Sequence, residues 1–157
     1  MLKNILTKVR EYIDVTLSTP HPRLGDLPIC PYASQYRDST IILEGDSRHI
    51  HQSMDSITKL LHRDVQVVVM AFPHVMKNSE PRFARACDRL QSAVWDQGWT
   101  VFLDHPENPY PVADVYTSFG LCPLVVVQRT ALLESKRKSL SKTGYYANWS
   151  KEQLKDL

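Results

Sequence analysis

Three side chains able to do chemistry stand at constrained points of this 157-residue chain: Cys30, His74 and His105. Cys30 lies between Pro28 and Pro31, each of which fixes one backbone φ angle. A thiol held in this way suits a nucleophile, a redox group or a metal ligand. The alternative is a small buried packing residue, since cysteine is among the most often buried residue types.

His74 and His105 each follow a predicted strand, in "AFPHVM" and "LDHPENPY". Open α/β sheets bind ligands at the carboxyl ends of their strands. Both histidines are therefore candidates for acid–base catalysis or metal ligation, and with Cys30 they form the predicted catalytic set. The alternative for each is a hydrogen-bonded loop histidine.

Two arginines and two tyrosines are candidates for binding a substrate. Arg129 falls where the strand "VVVQ" gives way to a helix, and a guanidinium beside a helix N-terminus makes an anion site. Arg37 is the second candidate for holding a substrate carboxylate. Tyr110 and Tyr116, in the proline-stiffened "PENPYPVADVY", could orient a polar ligand, or they could be solvated turn residues.

Apolar periodicity predicts the elements that must position these side chains. Helical spacing covers the start of the chain, strands alternate with further helices, and crossovers of this kind build a parallel or mixed sheet. We therefore expect one α/β domain over residues 1–157, with a mixed sheet of about four strands and flanking helices. The predicted helices cover residues 1–17, 50–61, 83–94 and 131–140, and the predicted strands cover 40–43, 65–72, 99–103 and 124–128.

Residues 104–123 show no clear period. Irregular segments of this length inside a domain are usually lids or binding segments, or else they contain a secondary-structure element that the periodicity does not show. The prolines and the glycine of "STPHPRLGDLP", residues 18–28, predict an extended connector that leads to Cys30. We expect this connector and residues 104–123 to enclose a pocket at the ends of the strands. Near the C-terminus, Ser150 and Gln153 have the spacing of a capping box, which predicts a short last helix.

Bulk composition excludes several classes of protein. Hydrophobic residues make up 43% and charged residues 23%, which predicts a folded chain, and the net charge of +2 without a basic stripe argues against a nucleic-acid partner. No apolar run reaches the length of about 18–20 residues that a membrane span needs. Three cysteines without a C-x-x-C pair predict a reducing, cytoplasmic setting and no structural zinc, although a Cys30–Cys122 disulfide stays possible. The common nucleotide-binding and hydrolase motifs are absent from the sequence.

Several stretches resemble known bacterial proteins. "LPICPYA" ahead of a strand resembles the Cys-Pro-Phe-Ala opening of a small uncharacterised family. The wider layout is similar to the YqcI/YcgG family, through "ICPYA", "FARACDRLQSAVWDQGW", "YTSFG" and "LVVVQRTALLESKRK". Together these stretches cover about two thirds of the chain in order. The resemblance implies haem-dependent oxidation, since that family includes haem-dependent N-hydroxylases of guanidino amino acids.

One position departs from the YqcI/YcgG pattern. That family has a histidine just beyond the last strand, ahead of a Ser-Arg pair, whereas this chain has Arg129-Thr130 there and Ser135-Lys136-Arg137 further on. If haem chemistry in the family requires that histidine, this chain does not carry out that chemistry. The predicted pocket and the resemblance together imply a small-molecule tailoring enzyme of amino-acid or natural-product metabolism, and it is the resemblance that implies haem as its cofactor. The alternative is a non-catalytic protein that binds a ligand or a partner through the same pocket.

Overall fold

Runs of β-branched residues build the main sheet, and amphipathic helices cover it. The computed structural model describes residues 2–157, with side chains from Asn4 onward. It confirms the predicted α/β class, with a mixed four-stranded sheet and flanking helices. The helices are α1 (Leu2–Glu11), α2 (Ile50–Ile57), α3 (Glu80–Val94), α4 (Thr130–Leu140) and α5 (Lys151–Lys155), and the strands are β1 (Pro20–His21), β2 (Leu27–Pro28), β3 (Thr40–Glu44), β4 (Val67–Ala71), β5 (Trp99–Asp104) and β6 (Leu124–Arg129).

The main sheet has the strand order β3-β4-β6-β5. β3 and β4 run parallel, and β6 runs antiparallel to both of its neighbours. Val126 of β6 lies opposite Val69 of β4 on one side and Phe102 of β5 on the other. The last strand to be made is therefore inserted between two earlier ones, and β5 becomes an edge strand.

Alternating side chains of β4 are buried on both faces of the sheet, as its continuous apolar run predicts. Val68 and Met70 pack under α2 and α3, in a cluster that includes Phe72 and Phe83. Val69 and Ala71 face the other way and pack with α1 and with residues just before β6. The two faces of the sheet therefore have separate cores.

The N-terminal helix and the connector differ in detail from their predicted forms. α1 ends at Glu11 and continues as one π-helical turn, Tyr12–Thr16, where the predicted helix runs to residue 17. The connector is a small hairpin of β1 and β2 rather than an extended segment. The capping box of Ser150 and Gln153 is confirmed at α5. Within residues 2–157, no helix combines the length and the apolar character that a bilayer span requires.

Residues 104–123 form two tight turns, closed by pairing of His105 with Asn108 and of Val112 with Val115. The second turn packs against the connector and the C-terminal segment in a third apolar cluster, which includes Leu24, Val115 and Tyr145. The two segments thus converge, as the sequence predicts.

The turn after β3 depends on a close approach at Gly45. A Cβ placed there would lie 2.4 Å from the Phe72 ring and 2.9 Å from the sulfur of Met70. We predict that Gly45→Ala lowers the free energy of unfolding by about 1–3 kcal/mol, because the ring must move within a packed core. Urea denaturation measures this change.

Gly98→Ala is the matched control for that substitution. Gly98 has φ +81° but no atom within 4 Å of the added Cβ, so only backbone strain of about 1 kcal/mol is expected. If Gly45→Ala costs no more than Gly98→Ala, crowding against Phe72 is not what requires the glycine.

Candidate functional site

An open cleft of about 1000 Å³ lies at the carboxyl ends of the parallel strands β3 and β4, beside α1. The carboxyl ends of the strands are where open α/β folds bind ligands. Its lining comes from α1 and from the turns that follow the two strands. We call it the β3–β4 cleft, and its residues are Asn4, Ile5, Lys8, Glu44, Gly45, Asp46, Arg48, Pro73 and His74.

Asp46 organises one wall of the cleft. Its carboxylate accepts hydrogen bonds from Nε and Nη2 of Arg48, at 3.1 Å each, and from the Arg48 backbone N–H at 2.9 Å. The Nδ1 atom of His49 lies 3.1 Å away. The Arg48 guanidinium, followed by His49, holds the pKa of the Asp46 carboxyl well below its usual range. These charges satisfy one another and fix the turn.

The other polar side chains of the cleft have no such partners. Among the described residues, no hydrogen bond or ion pair engages the side chains of Asn4, Lys8, Glu44 or His74. The Oε2 atom of Glu44 is buried and unpaired, although burying a carboxylate oxygen without a donor costs free energy. The cleft therefore presents a carboxylate, an ammonium and an imidazole that are all available to a ligand.

His74 lies exposed in the cleft, at the carboxyl end of β4 where the sequence places it. The sequence analysis missed Glu44, Lys8, Asp46 and Arg48. A usable signal was present, because "EGDSR" directly follows a strand just as "PHVM" does. The position of α1 beside the same ends of the strands depends on tertiary packing, which no local sequence pattern indicates.

His105 lies outside this cleft and is 1% exposed. Its Nδ1 lies 3.1 Å from the backbone N–H of Glu107, which donates to it, and its Nε2 lies 3.1 Å from Oγ of Ser79. Since Nδ1 accepts, the ring is neutral, its proton is on Nε2, and Nε2 donates to Ser79. Burial lowers the pKa of His105, against the opposing effect of Glu107, Glu80 and Asp104.

Ser79, His105 and Glu107 are arranged in space somewhat like a catalytic triad, with Nδ1 of His105 3.9 Å from the Glu107 carboxylate. The proton lies on the wrong nitrogen for that role, because a triad histidine must accept the serine proton on Nε2. Glu107 instead accepts from the backbone N–H groups of Asn78, at 2.6 Å, and Glu80, at 3.3 Å. The three residues fasten the start of α3 to the turn after β5.

Cys30 is half-buried in the connector, away from the lining of the cleft. Its N–H donates to the carbonyl of Leu17 at 2.8 Å, and burial raises the pKa of its thiol. A protonated thiol is a weak nucleophile. Cys87 and Cys122 are also free, so the disulfide that the sequence left open between Cys30 and Cys122 does not form.

Both candidate arginines have partners elsewhere in the fold. Arg129 donates to the carbonyls of Val65, at 3.0 Å, and His62, at 2.7 Å. Its guanidinium also lies 4.5 Å from the centre of the Trp99 ring, beyond the end of the sheet opposite the cleft. Arg37 pairs with Asp14, with Nε and Oδ2 3.2 Å apart.

Tyr110 and Tyr116 lie exposed on the irregular segment. The connector and this segment meet in a packed apolar cluster, and none of their residues lines the β3–β4 cleft. The expectation of a shared pocket is therefore corrected: the cleft forms between α1 and the strand ends instead, because apolar side chains fill the space between the two segments.

Within residues 2–157, no group of three histidine, cysteine or acidic side chains is placed to hold a metal ion. Comparison with known protein families, with curated proteins and with solved structures finds no match to this chain.

The lowered pKa of His105 predicts a pH effect on stability. Between the ordinary histidine pKa of about 6.5 and the lower folded value, the unfolded chain binds the proton more readily. The free energy of unfolding should therefore fall as the pH is lowered through this window, and remain at its full value above it. In His105→Asn, whose side-chain oxygen can still accept from Glu107, this part of the slope should vanish.

Urea denaturation between about pH 7.5 and 5 measures both slopes. His62→Asn is the control, because His62 is exposed at the protein surface and should leave the slope of the parent. Equal slopes in His105→Asn and the parent would contradict a neutral, buried His105.

Proposed function

We propose that this protein is a small-molecule tailoring enzyme of amino-acid or natural-product metabolism, whose substrate binds in the β3–β4 cleft. The observation that carries the proposal is a set of three cleft side chains that no described residue bonds: Lys8, Glu44 and His74. The ammonium of Lys8 on α1 and the carboxylate of Glu44 at the end of β3 complement the two charges of a small zwitterion. An amino-acid-like substrate has this distribution of charge.

Each of the three residues has a role in this proposal. Lys8 holds the substrate carboxylate, since the Nε and Nη2 atoms of Arg48 are already bound to Asp46. Glu44 accepts from the substrate ammonium, which gives its buried oxygen the donor it lacks. His74 is the group placed to transfer a proton, because histidine is the commonest general acid–base catalyst in enzymes.

Haem enters the proposal only through His74. The ring nitrogens of His105 are both engaged, and Cys30 lies away from the cleft. The His74 ring is exposed in the cleft, and no described residue bonds it, so of the three predicted catalytic residues it is the one that would ligate the iron. Bound haem would supply oxidation. A Soret shift when haemin is added to the wild type, absent in His74→Ala, supports this cofactor, and identical spectra for the two proteins remove it.

A non-catalytic binding protein is the second candidate. One observation favours it: no serine, threonine or cysteine is among the residues that line the described cleft, so no hydroxyl or thiol nucleophile is available there for covalent catalysis. Under this alternative the same charges bind the same kind of ligand, and His74 contributes to affinity alone.

Glu44→Gln separates ligand binding from stability. Removing an unpaired, partly buried charge should raise the free energy of unfolding by about 0.5–1 kcal/mol, as functional sites trade stability for activity. The same change should weaken binding of amino acids about tenfold, because an ammonium then loses its charged acceptor. Thermal unfolding and calorimetric titration with a panel of free amino acids measure the two effects.

Glu11→Gln is the matched control, since Glu11 is exposed on α1 and should change neither quantity. If Glu44→Gln destabilises the protein and leaves binding unchanged, the β3–β4 cleft is not the ligand site. If amino acids bind but His74→Ala leaves their turnover intact, the binding site stands and the catalytic role of His74 falls.

A further inference from the structure

The outer edge of β5 carries a backbone that is only half paired. The backbone N–H and C=O groups of the even-numbered residues of β5 point toward β6. The hydrogen bond from the Thr130 N–H to the carbonyl of Gly98, the residue just before the strand, fixes this register. In an antiparallel ladder the N–H and C=O of one residue point the same way. The N–H and C=O groups of the odd-numbered residues Trp99, Val101 and Leu103 therefore point away from β6, toward the open edge of the sheet.

Gln91 of α3 occupies the first half of this edge. Its Nε2 donates to the Trp99 carbonyl at 2.9 Å, and its Oε1 accepts from the Val101 N–H at 2.8 Å. Beyond it, no described residue bonds the Val101 carbonyl or the N–H and carbonyl of Leu103. Three consecutive backbone groups therefore remain open, with the geometry of an incomplete ladder.

A groove of about 280 Å³ runs beside these open groups, between β5 and α3. Its floor is apolar, from Ala84, Cys87, Val101 and Leu103, and its charged residues are Glu80 and Asp88. No lysine or arginine is among its described lining residues, although the chain as a whole has a net charge of +2. The groove is thus locally acidic.

The two faces of an added strand would meet different surroundings. Val101 and Leu103 belong to the core on the α3 side, so alternate residues of a strand beside them would lie over the acidic groove. The intervening residues would lie beside Phe102, whose side chain is on the other face and 36% exposed. Strand alternation therefore matches a segment in which basic and apolar residues take turns.

We propose that the β5 edge binds an extended segment of a partner protein with alternating basic and apolar residues, added as a further strand beside Leu103. Main-chain bonds to Val101 and Leu103 give affinity, and lysine stems pack on the apolar floor while their ammonium groups reach Glu80 and Asp88. A second copy of this chain is disfavoured, because antiparallel pairing of two β5 edges brings Glu80 and Asp88 of both copies together. This inference is independent of the β3–β4 cleft.

The test uses the full chain and an acetylated, amidated, fluorescent seven-residue peptide of alternating lysine and valine. Fluorescence anisotropy measures its affinity, and two derivatives carry N-methyl groups on either the lysine amides or the valine amides. A strand presents only one of these sets to β5, so one derivative should lose at least tenfold in affinity and the other should bind nearly as the parent peptide does. Derivatives that are equally weakened, or both unaffected, overturn the proposal.

Two further measurements use the same peptide. Glu80→Gln and Asp88→Asn should each weaken binding about threefold, the effect of one surface ion pair, and Asp96→Asn, an exposed acid outside the groove, should not. The Leu103 amide should exchange quickly in the free protein and slowly in the complex. An unchanged exchange rate for Leu103, or a dimer through β5 in sedimentation without peptide, overturns the assignment of this edge to a partner.

Discussion

The insertion of β6 between β4 and β5 is the constraint on which the rest of this fold depends. β6 runs antiparallel to both of its neighbours. The chain must therefore turn back after β5 and begin β6 at the end of the sheet where β3 and β4 finish. The irregular segment of residues 104–123 makes that return. This segment passes the carboxyl ends of the strands, so it lies at the same end of the molecule as the β3–β4 cleft.

Polar groups at that end of the molecule are of two kinds. Asp46 is paired with Arg48 and His49, and these contacts fix the turn after β3. The hydrogen bonds of His105 and Glu107 fix the start of α3. Glu44, Lys8 and His74 are left without partners among the described residues. The buried oxygen of Glu44 and the exposed side chains of Lys8 and His74 thus meet at one cleft, and convergent polar groups in a concave site are typical of a binding site.

Much of the fold could be predicted because its signals are local. The run from Val67 to Ala71 has the continuous apolar pattern of a central strand, and it is one. The site was harder, since a candidate residue is defined by what surrounds it in space. His74 could be placed at a strand end from the sequence, whereas the proton position on His105 depends on Ser79 and on a backbone N–H. Arg129 has the sequence context of an anion site, yet two carbonyls and the Trp99 ring take up its guanidinium.

The third apolar cluster also sets how far along the chain the connector finds its cover. The last strand of the main sheet ends at Arg129. The connector is covered only later, when Tyr145 packs with Leu24 and its hydroxyl donates to the carbonyl of Ile29. At one point of that late contact Gly25 and Gly144 leave no room for a side chain, since a Cβ on Gly25 would lie 2.8 Å from the Gly144 backbone. Covering the N-terminal hairpin therefore depends on Tyr145, sixteen residues beyond the last strand of the sheet. The long loop that this contact closes carries a larger closure entropy than the short turn between β1 and β2.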